Sequence, residues 1–116
     1  MPFEGILGLS YPTIAKANSV PFFDNVISQK LLSRNIFSIF LSEENSHIQF
    51  GAVDKERMLN NFIFTDVVSE SYWEIEIEEL RIGDYTTDYC KLLKEKTGKC
   101  GVAIDSGTSL YAGPSK

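Results

Sequence analysis

Short runs in which hydrophobic and polar residues alternate dominate this chain and predict a mainly β structure. Residues 36–41 and 47–53 alternate in this way on either side of a polar segment, residues 42–46. Two alternating runs separated by a short polar turn are typical of an antiparallel β-hairpin. We therefore expect these two runs to pair as neighbouring strands.

The second half of the chain continues the β pattern. Residues 62–68 and 72–80 predict two further strands, and in the second of these hydrophobic residues alternate with glutamates. Such alternation predicts that one face of the strand is buried while the other faces water. Gly83-Asp84 is a turn signal, and the apolar run Val102-Ala103-Ile104 predicts a last strand.

One segment departs from this pattern. Between residues 22 and 32 the apolar side chains recur with the spacing of one helix face, at Phe23, Val26, Ile27, Leu31 and Leu32. The sequence therefore predicts one clear short helix over about residues 22–32. A polar, charged connector at residues 54–61 is the best candidate for a domain junction.

Composition restricts the classes of function. The chain has 116 residues, 43% of them hydrophobic, and a formal net charge of −5, which is typical of a folded domain rather than a disordered chain. The negative net charge argues against nucleic acid as a partner, because the 11 Lys and Arg residues are outnumbered by 16 Asp and Glu residues, which repel phosphates. The apolar runs are too short to span a membrane.

The two cysteines enclose a lysine-rich segment. The spacing between Cys90 and Cys100 matches no metal signature and His47 is the only histidine, so no metal site is predicted. A disulfide that closes a surface loop is the favoured interpretation, and it would imply a secretory or extracellular setting. Two unpaired thiols are the alternative, which a single pair of cysteines leaves open.

The strongest candidate for chemistry is Asp105, which follows the last apolar run and precedes Ser106-Gly107-Thr108-Ser109. Small residues let the backbone turn tightly, and hydroxyl groups can reach the carboxylate. Three interpretations compete: a structural turn at a strand end, a serine nucleophile, and the catalytic carboxylate of an aspartic protease. The serine interpretation is weak, because the neighbours Ile104 and Thr108 stand where trypsin-like enzymes have glycine.

The order of several segments resembles the pepsin-like aspartic protease family. The resemblance covers nearly the whole chain, and Asp105 would lie in the second catalytic loop of that family. The matching segments, in chain order, are residues 4–12, 22–32, 36–42, 49–54, Tyr72-Trp73 and 104–110. The family often carries a short disulfide loop where Cys90 and Cys100 lie, although this segment is longer and more basic.

The resemblance implies a catalytic mechanism and a set of residue roles. In this family two Asp residues share a proton across a water molecule, one acting as base and the other as acid. Asp105 would be the member supplied by the C-terminal lobe. Ser106 and Thr108 would donate hydrogen bonds, Gly107 would let the substrate backbone approach, and Ser109 would support the loop.

Further residues would complete the catalytic cleft. By resemblance, the segment that supports the first catalytic loop is Ile6, Leu7 and Gly8. The residues expected to contact substrate are Phe3, Ile6, Tyr72, Ala103, Gly107 and Thr108. For Trp73 a place in the core is the preferred interpretation.

The chain holds a single Asp-Ser/Thr-Gly unit. It therefore resembles the middle of a two-lobed enzyme, with residues 1–61 as the C-terminal part of the N-terminal lobe and residues 62–116 as the start of the C-terminal lobe. We expect the parent protein to be an endopeptidase and this chain alone to be inactive. A homodimeric protease of the retroviral type is disfavoured by the order of the motifs. The alternative is a pepsin-like module that binds peptides without cleaving them.

The resemblance also implies partners and a compartment. No cofactor is expected, and the partners of the full-length enzyme would be peptide or protein substrates and inhibitors of the pepstatin type. A secretory, acidic vesicular or extracellular location follows from the family and from a disulfide.

Overall fold

The computed structural model describes residues 4–113 and divides them into two compact units. The first unit holds residues 4–9 and Ala17–Phe64, and the second holds Ser10–Lys16 and residues 65–113. Each unit contains an antiparallel sheet, in agreement with the predicted mainly β fold class. The predicted assignment of residues 1–61 and 62–116 to two lobes stays a prediction.

The first unit contains helix α1, Phe22–Ser28. The predicted helix is confirmed, but it ends earlier than residue 32. Lys30 adopts a left-handed conformation with φ of 54°, and the N–H groups of Lys30 and Leu31 donate to the carbonyls of Ile27 and Val26. This is a Schellman motif, which satisfies the last carbonyls and stops the helix.

The hairpin predicted for the first unit is confirmed. Strand β1, Phe37–Phe40, pairs antiparallel with β2, His47–Phe50, and Phe37 lies opposite Phe50. The Phe23 ring of α1 lies 5.1 Å from the Phe37 ring and 6.0 Å from the Phe50 ring. This aromatic cluster joins the helix to one face of the hairpin.

The second unit contains a three-stranded antiparallel sheet in the order β3-β4-β7. Its strands are Val67–Glu70, Trp73–Glu76 and Gly101–Ala103. The small hairpin of β5, Arg81–Ile82, and β6, Tyr85–Thr86, turns at Gly83, whose φ is 59°. Strand β4 lies within the predicted range 72–80 but is shorter. Strand β3 differs more from its prediction, because it overlaps the predicted range 62–68 only at Val67 and Val68 and continues to Glu70.

The segment between the cysteines differs from its prediction. It was expected to be a surface loop, whereas Tyr89–Thr97 form a second helix, α2, which ends at Gly98 with φ of 82°. Its Lys, Leu and Glu residues are strong helix formers, and Lys94 and Lys96 lie in the last turn, where the helix dipole favours cations. The disulfide is present, with the Cys90 and Cys100 Cα atoms 5.1 Å apart.

Burial is concentrated at that disulfide. Among residues 4–113 the buried hydrophobic residues are Cys90 and Cys100, at 2% and 0% exposure. Large apolar side chains are exposed elsewhere, with Leu59 at 97% and Ile63 at 95%. The units therefore present apolar surface of the kind that usually contacts other protein. None of the helices within residues 4–113 has the length and apolar character needed to cross a membrane.

Candidate active site

Asp105 lies at the end of the second unit's sheet. Strand β7 pairs with β4, placing Ala103 opposite Glu74. One residue further on, the Ile104 N–H donates to the Trp73 carbonyl over 3.0 Å. The backbone is therefore held by the sheet up to the residue that precedes Asp105.

The loop after β7 holds the Asp105 carboxylate through both of its oxygens. The Gly107 N–H donates to Oδ1 over 2.9 Å, and the Thr108 hydroxyl donates to Oδ2 over 2.6 Å. The Thr108 N–H also approaches the Asp105 carbonyl at 3.4 Å. Two donors on two oxygens fix the plane of the carboxylate relative to the strand.

These hydrogen bonds also favour the ionised form of the Asp105 carboxylate. They hold the pKa of Asp105 below its ordinary value, the Thr108 hydroxyl contributing most and the Gly107 N–H next, while slight burial opposes them. Hydrogen bonds donated to a carboxylate favour its ionised form. Asp105 is exposed and, as an ionised carboxylate, it can accept a proton from a water molecule.

Gly107 is the tightest point of the loop. A Cβ atom at this position would lie 3.1 Å from Oδ1 of Asp105. That is closer than ordinary van der Waals contact, so a side chain would press on the carboxylate. A side chain at Gly107 would therefore require Oδ1 of Asp105 to move by a few tenths of an ångström.

The other residues predicted for the catalytic loop lie nearby. Ser106 and Ser109 are exposed in the same turn, and their predicted supporting roles stay predictions. Ala103 is exposed in β7, and Tyr72, 52% exposed, directly precedes β4. The sheet therefore carries Tyr72, Ala103 and Asp105 on paired or adjacent segments.

Three residues predicted from the N-terminal segment, Ile6, Leu7 and Gly8, belong to the other unit. Ile6, Leu7 and Gly8 are exposed and lie outside helices and strands, with Ile6 at 88% exposure. Phe3 lies outside the described residues. The predicted contributions of these four residues to a cleft stay predictions.

The sequence pattern predicts that Trp73 lies in the core, but it predicts no partner for the Trp73 backbone. In the structure the Trp73 carbonyl accepts a hydrogen bond from the Ile104 N–H, next to the candidate catalytic residue. The signal available was the position of Trp73 at the start of an alternating strand, which does not reveal the partner of its carbonyl. Within residues 4–113 no group of three or more His, Cys, Asp and Glu side chains could hold a metal ion.

Comparison with known proteins gives the family of the chain. The family model described as eukaryotic aspartyl protease matches residues 1–116. Pepsin A of Rhinolophus ferrumequinum is 36% identical over 116 residues, and cathepsin D of Bos taurus is 36% identical over 117 residues; each match covers 97% of this chain. The chain spans 28% of the length of each of these relatives. The resemblance predicted from the ordered motifs is confirmed: the chain belongs to the eukaryotic aspartyl protease family.

Proposed function

We propose that this chain is part of a pepsin-like endopeptidase in which Asp105 is one of two catalytic carboxylates. The observation that carries the proposal is the Asp105 carboxylate, held by Gly107 and Thr108 at the end of β7. The two donors fix the orientation of this exposed carboxylate, and therefore the direction from which it can exchange a proton. Membership of the aspartyl protease family supports the reaction class.

The proposed reaction uses a water molecule between two carboxylates. Because two close carboxylates cannot both ionise readily, one acts as base and the other as acid. The base takes a proton from the water as the water oxygen attacks the peptide carbonyl carbon, and the acid gives a proton to the carbonyl oxygen. The two groups titrate as a pair rather than as individuals.

In this scheme the residues near Asp105 have distinct tasks. Thr108 and Gly107 keep the Asp105 carboxylate in one plane, and they lower the free energy of its ionised form. Tyr72, in the turn before β4, and Ala103, in β7, are proposed to contact a peptide substrate together with Gly107 and Thr108. Phe3 and Ile6 are proposed to line the pocket for the side chain that precedes the scissile bond.

We further propose that this chain alone does not cleave peptides. Its sequence holds one Asp-Ser/Thr-Gly unit, whereas the reaction needs two carboxylates. The second Asp is proposed to come from another part of a longer protein. A secretory or acidic vesicular location is supported by the disulfide between Cys90 and Cys100.

The test compares the 116-residue chain with the full-length gene product at acidic pH, using a fluorogenic peptide with and without pepstatin. We expect cleavage that pepstatin blocks in the full-length protein and none in the chain alone. Pepstatin-sensitive cleavage by the chain alone would contradict the inactivity proposal and would favour a homodimer. Peptide binding without cleavage by the full-length protein would instead favour a non-catalytic module.

A further inference from the structure

The segment Ser10–Lys16 packs on the turn between β3 and β4 within the second unit. The Tyr11 N–H donates to the Ser71 carbonyl over 3.1 Å, and the Thr13 hydroxyl donates to the Glu70 carbonyl. The Tyr11 ring lies against the Trp73 ring, with centroids 4.7 Å apart and a tilt of 45°. Two hydrogen bonds to backbone carbonyls and one contact between aromatic rings therefore join this segment to the turn.

The backbone of Trp73 contacts the residue that precedes Asp105. Its carbonyl accepts the Ile104 N–H over 3.0 Å, and the next residue is Asp105. Trp73 is also opposite Glu70 in the β3–β4 ladder. A shift of the β3–β4 turn would therefore move the carbonyl that anchors the residue before Asp105.

Tyr11 is suited to a packing role rather than a charged one. Its ring is half-buried, and burial raises the pKa of its phenol, with the Glu70 carboxylate raising it further. Since the ordinary pKa of a tyrosine phenol is already about 10, the Tyr11 phenol is neutral at acidic and neutral pH. An aromatic pair whose ring centroids lie 4.7 Å apart adds a favourable contact beyond the burial of area alone.

We propose that Tyr11 is a positioning residue for Asp105, acting through Trp73 and Ile104. This inference rests on the proposed function of Asp105 as a catalytic carboxylate. The Tyr11 ring fixes Trp73 on the β3–β4 turn, and Trp73 fixes the backbone of Ile104. The order of contacts is Tyr11 to Trp73 to Ile104, and Asp105 follows in the chain.

The effect on catalysis follows from geometry. The loop donors Gly107 and Thr108 fix the carboxylate relative to its own backbone, whereas the Trp73 carbonyl fixes that backbone relative to the sheet. Small displacements of a catalytic group lower the rate of the chemical step much more than they lower substrate binding. A loosened Trp73 should therefore lower kcat by a larger factor than it raises KM, which also responds because the substrate-contact candidate Tyr72 lies in the same turn.

The test uses the full-length protease with Tyr11→Leu, the conservative Tyr11→Phe, and Tyr85→Leu as matched control. Tyr85 is an exposed tyrosine in β6, outside the proposed machinery. Active sites are counted by titration with pepstatin, so that misfolded protein is removed from the rate. We expect Tyr11→Leu to lower kcat per titrated site about tenfold and to raise KM by a smaller factor, and Tyr11→Phe and Tyr85→Leu to match wild type.

A wild-type kcat per titrated site in Tyr11→Leu would overturn the proposal. If Tyr11→Phe lost as much kcat as Tyr11→Leu, the proposal would also be overturned, because the ring would then not be the group that matters. If Tyr11→Leu does not fold, Trp73→Phe takes its place, because it reduces the ring contact and keeps an aromatic side chain. We expect Trp73→Phe to lower kcat per titrated site by a smaller factor. No change in that variant would overturn the proposal.

Hydrogen exchange at the Ile104 amide separates this inference from the proposed function. We expect faster exchange at Ile104 in Tyr11→Leu, or in Trp73→Phe if Tyr11→Leu does not fold, and wild-type exchange in Tyr11→Phe and Tyr85→Leu. Unchanged exchange in an active enzyme would overturn the positioning role alone. A full-length protein that cleaves nothing would contradict the proposed function, while the exchange rates would still decide whether Tyr11 holds Ile104.

Discussion

The Thr108 hydroxyl lies 2.6 Å from Oδ2 of Asp105 and donates a hydrogen bond to it. This bond is the largest cause of the lowered pKa of the Asp105 carboxyl, ahead of the bond from the Gly107 N–H. A side chain three residues along the chain thus helps to orient the candidate catalytic group and favours its ionised form. Its removal should leave the backbone turn in place while changing the acid–base chemistry.

Replacing Thr108 with Val removes the hydroxyl and keeps the side-chain shape. Since the bond favours the ionised carboxylate, its loss should raise the pKa of Asp105 toward the ordinary Asp value of about 3.9. In the full-length protease, the acidic limb of the kcat/KM profile should then move to higher pH. Thr108→Ser, which restores a hydroxyl, should return the limb to its wild-type position. A profile of Thr108→Val that overlays the wild type would contradict this role.

Replacing Gly107 with Ala should displace the Asp105 carboxylate, because the new Cβ would lie 3.1 Å from Oδ1. We expect kcat of the full-length protease to fall by about tenfold or more, the scale of loss that misplaced catalytic groups cause. Gly113→Ala is the matched control, because a Cβ there would meet nothing within 4 Å. Equal activity of the two variants would show that the close approach at Gly107 has no catalytic consequence.

Removing the disulfide should destabilise the second unit. Replacing both Cys90 and Cys100 with Ala should lower the free energy of unfolding of the full-length protein by about 2–4 kcal/mol, as expected for a bridge that closes a short loop. Urea unfolding of wild type and variant measures this, and wild-type protein treated with a thiol reductant under denaturing conditions should match the variant. An unchanged unfolding midpoint would mean that helix α2 and strand β7 are held together without the bridge.

Lys30 offers a stabilising change. It adopts φ of 54° just beyond α1, a conformation that costs an L-residue about 1–2 kcal/mol and glycine much less. Lys30→Gly should therefore raise the free energy of unfolding by about 0.5–1 kcal/mol, after the added chain entropy of glycine is subtracted. Lys91→Gly, inside helix α2, should have the opposite sign. Destabilisation by both changes would contradict the Schellman assignment at Lys30.

The fold could be predicted from the sequence where a pattern is local. The alternation in residues 36–41 and 47–53 predicts the β1–β2 hairpin, because both strands and their turn lie within one short segment. Helix α2 was missed because its enclosing cysteines favoured a loop, although its Lys, Leu and Glu residues and Gly98 were helix signals. The end of α1 was missed because Lys30, unlike glycine, does not signal a left-handed residue.

The part of the candidate site that could be predicted from the sequence is likewise the local part. Asp105, Gly107 and Thr108 are close in sequence, so their mutual contacts follow from one tight loop. The bond from Ile104 to the carbonyl of Trp73 joins residues 31 positions apart. Such a contact depends on the register between strands. The alternation in β4 predicts which face of the strand is buried, but it does not predict which residues lie opposite each other.

The most direct test of the account is the activity of Asp105→Asn in the full-length protein. Asn keeps the shape of the side chain but cannot hold or release the proton that the reaction needs. We expect circular dichroism and thermal unfolding close to wild type, and loss of the pepstatin-sensitive cleavage of a fluorogenic peptide at acidic pH. Cleavage by Asp105→Asn at the wild-type rate would contradict the assignment of Asp105 as a catalytic carboxylate.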